Sequence, residues 1–263
     1  VHILYNGINK GYYMIITLYA YQFILGAILG SFYHVVIYRW PRKISIIHGT
    51  SKCPHCEHRI MPLELIPIVS YFFLKGRCAH CHAPISMRYP IIEAVTGFSF
   101  MLSFHVFQLT TQTLLAMSLA SICIIVAMID IDTMEIMDRF HVLIFFLAVI
   151  NIFTLSTLPP LEHLIGFFVI SIPLYIIALL TNGIGGGDIK LVAVSGLFLG
   201  YQATLVAFFI AAVLGGIVGI YLLYTKQKNR QSLIAFGPYL CIGIYFAYLY
   251  GFKIFQWYIS LFI

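Results

Sequence analysis

Apolar residues run through this chain in long blocks separated by short polar breaks. Windows of about 20 such residues, the length that crosses roughly 30 Å of hydrocarbon at 1.5 Å per residue, recur over most of the sequence. The blocks do not alternate apolar with polar positions, as the strands of a membrane barrel would. Each is therefore expected to be a helix, the one open-ended element whose backbone groups all pair internally in lipid. The expected spans are 14–38, 90–108, 112–131, 139–157, 163–181, 189–200, 202–224 and 238–262. That makes eight helices, with six or seven as the alternatives. The segment 189–200 is short and contains Gly196, so it is expected to be a tilted or half-length helix packed inside the bundle. The fold class is thus an all-α polytopic membrane protein of about eight transmembrane helices.

Composition agrees: 61% of the 263 residues are hydrophobic and 9% charged, against near half and a quarter in a water-soluble globule. A cleaved signal peptide is the competing reading of the first span. Its positive charges follow the apolar run instead of preceding it, which argues for a retained helix. Residues 1–13 form an N-terminal extension, and Met14, which opens the apolar run, is the expected native start.

Charge orients the spans. Arg39, Arg42, Lys43, Lys52, Arg59, Lys75, Arg77 and Arg88 hold more than half of the 15 basic residues within 39–88, and the positive-inside rule makes that loop cytoplasmic. Threading eight spans from it puts 132–138, 182–188 and 225–237 inside as well, with Lys226, Lys228 and Arg230, and Arg139 and Lys190 at the margins. The outside loops, near 109–111, 158–162 and 201, contain no Lys or Arg. The N-terminus is then outside. The net charge of +6 reads as topology and anionic-lipid contact, not nucleic-acid binding.

The cytoplasmic loop carries its own chemistry. Cys53-Pro-His-Cys56 and Cys78-Ala-His-Cys81, separated by 21 residues, can aim four thiolates at one tetrahedral centre, the donor set of structural zinc. Redox or disulfide pairs are the alternative, which a reducing cytoplasm disfavours. Four thiolates leave no open coordination position, so the metal is expected to be structural, folding a loop too short to build much core. His48, His55, His58, His80 and His82 crowd the same loop. Cys123 and Cys241, alone in apolar spans, are expected to be packing residues.

Acids in or beside a membrane span are costly and mark function by default. Asp130 ends the apolar run SICIIVAMID, and Asp188 follows Gly185, Gly186 and Gly187. A hairpin of two spans separates them, so the second acid returns to the face the first one left. Two neighbouring carboxylates cannot both ionise easily. One then takes a proton from attacking water, while the other hydrogen-bonds the scissile carbonyl, as in aspartyl peptidases. The glycine run would let backbone, substrate or a partner helix approach the acid closely. Asp132, Glu135 and Asp138 read as solvated loop charges. Lys190 either pairs with Asp188 or reaches lipid phosphates.

The order of these motifs resembles the type IV prepilin peptidase family, almost from end to end. Gly30-Ser31-Phe32, Val35-Val36-Ile37-Tyr38-Arg39 and Pro41 are similar to its opening motif. Ile66-Pro67 and Ser70-Tyr71 lie between the knuckles, and Pro84-Ile85-Ser86, Arg88-Tyr89-Pro90 and Glu93 follow. Ile129-Asp130 with Ile136-x-Asp138, then Gly185-Gly186-Gly187-Asp188-Ile189-Lys190-Leu191, resemble the two stretches that hold the catalytic aspartates, and Phe236-Gly237-Pro238 also fits. Met137 stands where the family commonly has Pro, His34 where it often has Asn, and Glu64-Leu65 where an Asp-Asn type of pair is usual.

The resemblance implies a bifunctional enzyme of the cytoplasmic membrane. It would cut the basic leader of prepilins or pseudopilins with Asp130 and Asp188, supported by Gly185, Gly186, Gly187 and Lys190. It would then N-methylate the new terminus from S-adenosylmethionine, with Glu93 and the cysteine loop as contributors. A Gram-positive competence pseudopilin system is the setting it suggests. The organisation expected is 14–38 as first span, 39–88 as a four-cysteine zinc-binding loop and 89–263 as peptidase bundle. Competing readings are an ion- or proton-coupled transporter using the same aspartates, a non-catalytic scaffold with a zinc loop, and presenilin-like cleavage inside a substrate helix. The last does not predict the zinc loop.

Overall fold

The computed structural model describes residues 2–181, 183–225 and 235–262, with side chains described from Met14 onward. Lys226, Lys228 and Arg230, which entered the topology argument, lie outside the described residues. The described residues form ten α-helices: α1 (His2–Arg39), α2 (Val69–Phe73), α3 (Arg88–Phe107), α4 (Thr111–Thr133), α5 (Asp138–Thr154), α6 (Pro160–Val169), α7 (Ser171–Thr181), α8 (Gly186–Leu199), α9 (Tyr201–Tyr224) and α10 (Gly237–Ile259). The described residues contain no strand, only two isolated bridges, Lys52 with Arg59 and Arg77 with Pro84. Seven segments among them are long and apolar enough to cross a membrane, α6 and α7 counting together. With the short α8 they account for all eight expected spans.

The chain forms two compact units, Val1–Thr113 and Leu114–Ile263. In the first, α1 packs along α3. Gly26 and Gly30, one turn apart, let the backbones touch. A Cβ at Gly26 would stand 2.7 Å from the Thr96 carbonyl oxygen, and one at Gly30 2.9 Å from the Glu93 Cα. Such small-residue contacts take the place of the hydrophobic drive that lipid removes. Arg39, ending α1, then folds the loop behind it, its guanidinium donating to the carbonyls of Ser45 (3.1 Å) and His48 (3.0 Å).

In the second unit α8 is the hub, packed against α5, α6, α7, α9 and α10. Its 14 residues span only about 21 Å, less than the hydrocarbon thickness. Its C-terminal carbonyls therefore end where water cannot satisfy them. Neighbouring side chains do so: Asn151 Nδ2 donates to the Phe198 carbonyl (3.0 Å) and His163 Nδ1 to that of Leu197 (2.9 Å). Gly200, at φ 81°, turns the chain into α9. Gly196 meets Gly166 of α6 backbone to backbone, with no room for a Cβ on either. The break between α6 and α7 falls at Ile170. Pro173 explains it, because its ring lacks the N–H and crowds the carbonyl four residues back.

Candidate active site

Asp130 sits in the last turn of α4 and is buried, at 5% exposure. Its Oδ2 accepts the N–H of Gly237 at 2.9 Å. Gly237 opens α10, so this amide is one that a helix leaves without an internal partner. The carboxylate of one span thus caps the positive end of another. Two residues of the Phe236-Gly237-Pro238 motif, the glycine and the proline, then make sense. A Cβ on Gly237 would lie 2.6 Å from Asp130 Oδ2, and Pro238 occupies a first-turn position where a missing N–H costs nothing. The sequence showed this motif only as a family likeness; its bond to an acid 107 residues away has no local signature.

Asp188 lies in the first turn of α8, half-buried. The charge of Asp130 acts on it directly, so the two acids are electrostatic neighbours, brought together from α4 and α8. Unlike Asp130, the Asp188 carboxyl has no hydrogen-bond donor among the described residues, which leaves it open to water or a ligand. Cys241 of α10 neighbours Cys123 of α4 and feels both acids. The thiols, buried as expected of packing residues, lie under the place where α4, α8 and α10 converge.

The three glycines before Asp188 are not equivalent. Gly187 is needed for close packing, since a Cβ there would stand 3.1 Å from Cβ of Ile136. At Gly185 the Cβ would meet Asp188 Oδ2 at 3.1 Å, whereas around Gly186 nothing lies within 4 Å. Lys190 pairs not with Asp188 but with Asp138, its Nζ donating to Asp138 Oδ1 at 2.7 Å. Asp138 is exposed but held in that ion pair, while Glu135 is exposed. Met137 adopts φ −73°, a value that a proline would also hold.

In the first unit the four Cys53, Cys56, Cys78 and Cys81 sulfurs lie within 4.8 Å of one another. Cys53 and Cys81 Sγ are 3.8 Å apart, which is the edge of a tetrahedron built on about 2.3 Å metal–sulfur bonds. The two knuckles repeat each other 25 residues apart. Cys53 N donates to the His58 carbonyl (3.0 Å) as Cys78 N does to that of Ala83 (2.9 Å), and Glu57 and His82 occupy matching positive-φ positions at 55° and 59°. The N–H groups of Cys56 and His55 bring Cys53 down to about 6. The His58 N–H acts in the same sense on Cys56, but desolvation and the Cys81 and Cys53 thiols push it up to about 12. Crowded thiols that resist shared ionisation are what a cation would relieve, so the donor set fits a metal ion.

Glu93 is buried in α3, and its Oε2 accepts the Ile68 N–H at 2.6 Å. Ile68, at φ 62° and ψ −53°, centres a tight turn closed by Val69 N on the Pro67 carbonyl (2.5 Å). A β-branched residue rarely adopts this conformation. Glu93 therefore pins a strained turn of the polar loop to the top of α3. His34 Nε2 donates to the Tyr89 carbonyl at 3.2 Å, with the two rings stacked at 4.3 Å. Glu64 caps the turn at Pro62–Leu65 through the Met61 N–H (2.8 Å).

The sequence matches known proteins over nearly its whole length. Residues 24–107 match the model of the bacterial peptidase A24 N-terminal domain, and residues 117–220 that of the type IV leader peptidase family. A prepilin leader peptidase/N-methyltransferase of Bacillus subtilis (strain 168) is 38% identical over 91% of this chain and 97% of its own length. The chain belongs to the type IV leader peptidase family. Proteins of the same name from Aeromonas hydrophila, 31% identical over 92% of this chain and 93% of theirs, and from Pseudomonas putida, 29% identical over 88% and 90%, are further relatives. No solved structure matches. Family and spans together make the chain a multi-pass membrane peptidase.

Proposed function

We propose that the chain cleaves the leader peptide of a prepilin or pseudopilin at the cytoplasmic face of the cell membrane, with Asp130 and Asp188 as the catalytic pair. The observation that carries this reading is the convergence of α4, α8 and α10, which makes one buried acid the electrostatic neighbour of a second, more open one. In the reaction a water oxygen bonds to the scissile carbonyl carbon as one carboxylate takes its proton. The other, protonated, carboxyl hydrogen-bonds the carbonyl oxygen. Collapse of that intermediate breaks the C–N bond, and the leaving nitrogen receives a proton from the pair. The pair titrates as a unit, so neither role belongs to one named residue. Gly186, with open space around it, leaves room for substrate backbone beside Asp188. The test is co-expression with a prepilin-like substrate, following the leader by gel shift. Transport by the same acids has no relative behind it; the relatives are named peptidases.

The basic loop between α1 and α3 supports an inward orientation, with the N-terminus outside. Such a substrate presents an apolar helix in lipid and a basic leader at the same face. Zinc is the metal that four thiolates best suit, and it would hold the two knuckles together without taking part in hydrolysis. We expect about one zinc per chain in freshly purified protein. Chelation should make the loop between Arg39 and Arg88 protease-sensitive. Metal analysis finding none would remove the claim.

N-methylation, implied by the relatives' names, would follow in the first unit, with S-adenosylmethionine supplying the methyl group. In this reading the donor would lie in an open cleft lined by Phe73, Lys75 and Arg77, the aromatic ring facing its adenine and the two cations its carboxylate. A Lys75→Ala, Arg77→Ala double variant is expected to lose most methylation while leader cleavage continues, read by mass spectrometry of the mature N-terminus. Equal loss of both activities would count against a separate donor cleft.

A further inference from the structure

The start of α8 is a poor place to hold a functional acid still. Three consecutive glycines precede Asp188, each with more backbone freedom than any other residue, and the first turn has no side-chain cap. What fixes it comes from residues 136–141, across the bundle. Ile136 presses on Gly187 so closely that a Cβ there would meet it at 3.1 Å. His141 Nε2 donates to the Gly187 carbonyl at 3.2 Å. Asp138 Oδ1 accepts Lys190 Nζ at 2.7 Å. Gly187 immediately precedes Asp188 and Lys190 follows two residues later, so the acid is bracketed on both sides by bonds to one short segment.

His141 itself is nine-tenths buried, at 6% exposure, and is satisfied on one nitrogen only. A carbonyl oxygen accepts and never donates, so Nε2 bears the hydrogen. Nδ1 has no hydrogen-bond partner; the Asp138 carboxylate stands 3.4 Å away, beyond charge-assisted range, and is engaged by Lys190. A leucine would fill this buried position without leaving a polar atom unpaired. What the imidazole adds is the bond to Gly187, with a longer approach to Asp138.

We infer that His141 is a positioning residue for Asp188: through the Gly187 carbonyl, and together with the Asp138–Lys190 ion pair, it sets the direction of the acid at the start of α8. This inference rests on the aspartate-pair reading above. It adds a device from the start of α5 that the glycine run makes necessary and that the residues of the run cannot supply.

The experiment uses the full-length protein in lipid, measuring kcat and KM for leader cleavage together with Tm. His141→Leu is expected to lower kcat by about ten- to a hundredfold, as a displacement near 1 Å does at a reacting group. KM should stay within about twofold and Tm should not fall. His141→Gln, whose amide can still donate to the Gly187 carbonyl, should recover most of the loss. The charge-reversed pair Asp138→Lys with Lys190→Asp should be more active than either single variant. Wild-type kcat in His141→Leu overturns the inference, and so does a loss that tracks Tm and is not relieved by glutamine. Asp188→Asn measured alongside separates the two levels. If it is inactive while His141→Leu is fully active, only the positioning role fails; if it still cleaves, the catalytic pair and the positioning role fall together.

Discussion

Asp130→Asn and Asp188→Asn are each expected to abolish leader cleavage while the protein still inserts in the membrane. Asparagine keeps the shape of the side chain, and at position 130 its carbonyl can still accept the Gly237 N–H that now bonds Oδ2. What it removes is the ability to take or give a proton. General acid–base groups contribute about 10²–10⁴ in rate each. A pair that shares one proton fails as a unit when either member is lost, so each single variant should reach the floor of a gel-shift time course. Membrane fractionation and melting of the purified variants show whether the fold is intact. Complete processing by both variants would reject the peptidase assignment to these residues.

Gly237→Ala is the second large effect, and it concerns a residue that carries no chemistry of its own. Its methyl group would stand 2.6 Å from Asp130 Oδ2 and 3.0 Å from the carboxyl carbon, inside the limit that real Cβ atoms respect. Either the acid swings off the start of α10 or the two helices part. Both outcomes break a hydrogen bond to a charged group, worth about 1.5–3 kcal/mol, which corresponds to about ten- to a hundredfold in rate if it is lost only at the reacting geometry. Gly216→Ala is the control. It lies in α9 of the same unit, a Cβ there meets nothing within 4 Å, and alanine favours the helix. Cleavage by Gly237→Ala at the rate of Gly216→Ala would show that the Asp130–Gly237 contact is not needed.

Family membership was readable because several short motifs recur in one order over the whole chain. The spans were readable because lipid allows few solutions for an apolar block, and a stretch of about 20 residues announces itself. Even the doubtful segment 189–200 was legible as a short helix from its length and Gly196. Why such a helix tolerates the bilayer was not. The carbonyls that end it are satisfied by Asn151 and His163, two polar residues whose partners lie 47 and 34 positions away. The same limit applied to Lys190, whose partner is Asp138. Sequence proximity offered Asp188 as one of two partners, yet side chains two apart on a helix do not face each other.

By itself the sequence determined an all-helical membrane protein of the leader peptidase family, with a loop of four clustered cysteines and acids at the ends of spans. The helices, the cysteine loop and the acids follow from composition, block length and spacing, which act within a few turns of chain, and the family from the likeness of several motifs in one order. Only the tertiary structure decided that Asp130 caps α10, that Ile136, Asp138 and His141 hold the start of α8, and that Glu93 restrains a strained turn at Ile68. Each of these is a contact between residues far apart in the chain, a directional bond in every case but the packing of Ile136 on Gly187. Its existence depends on where packed helices bring backbone amides and carbonyls, which no local pattern encodes.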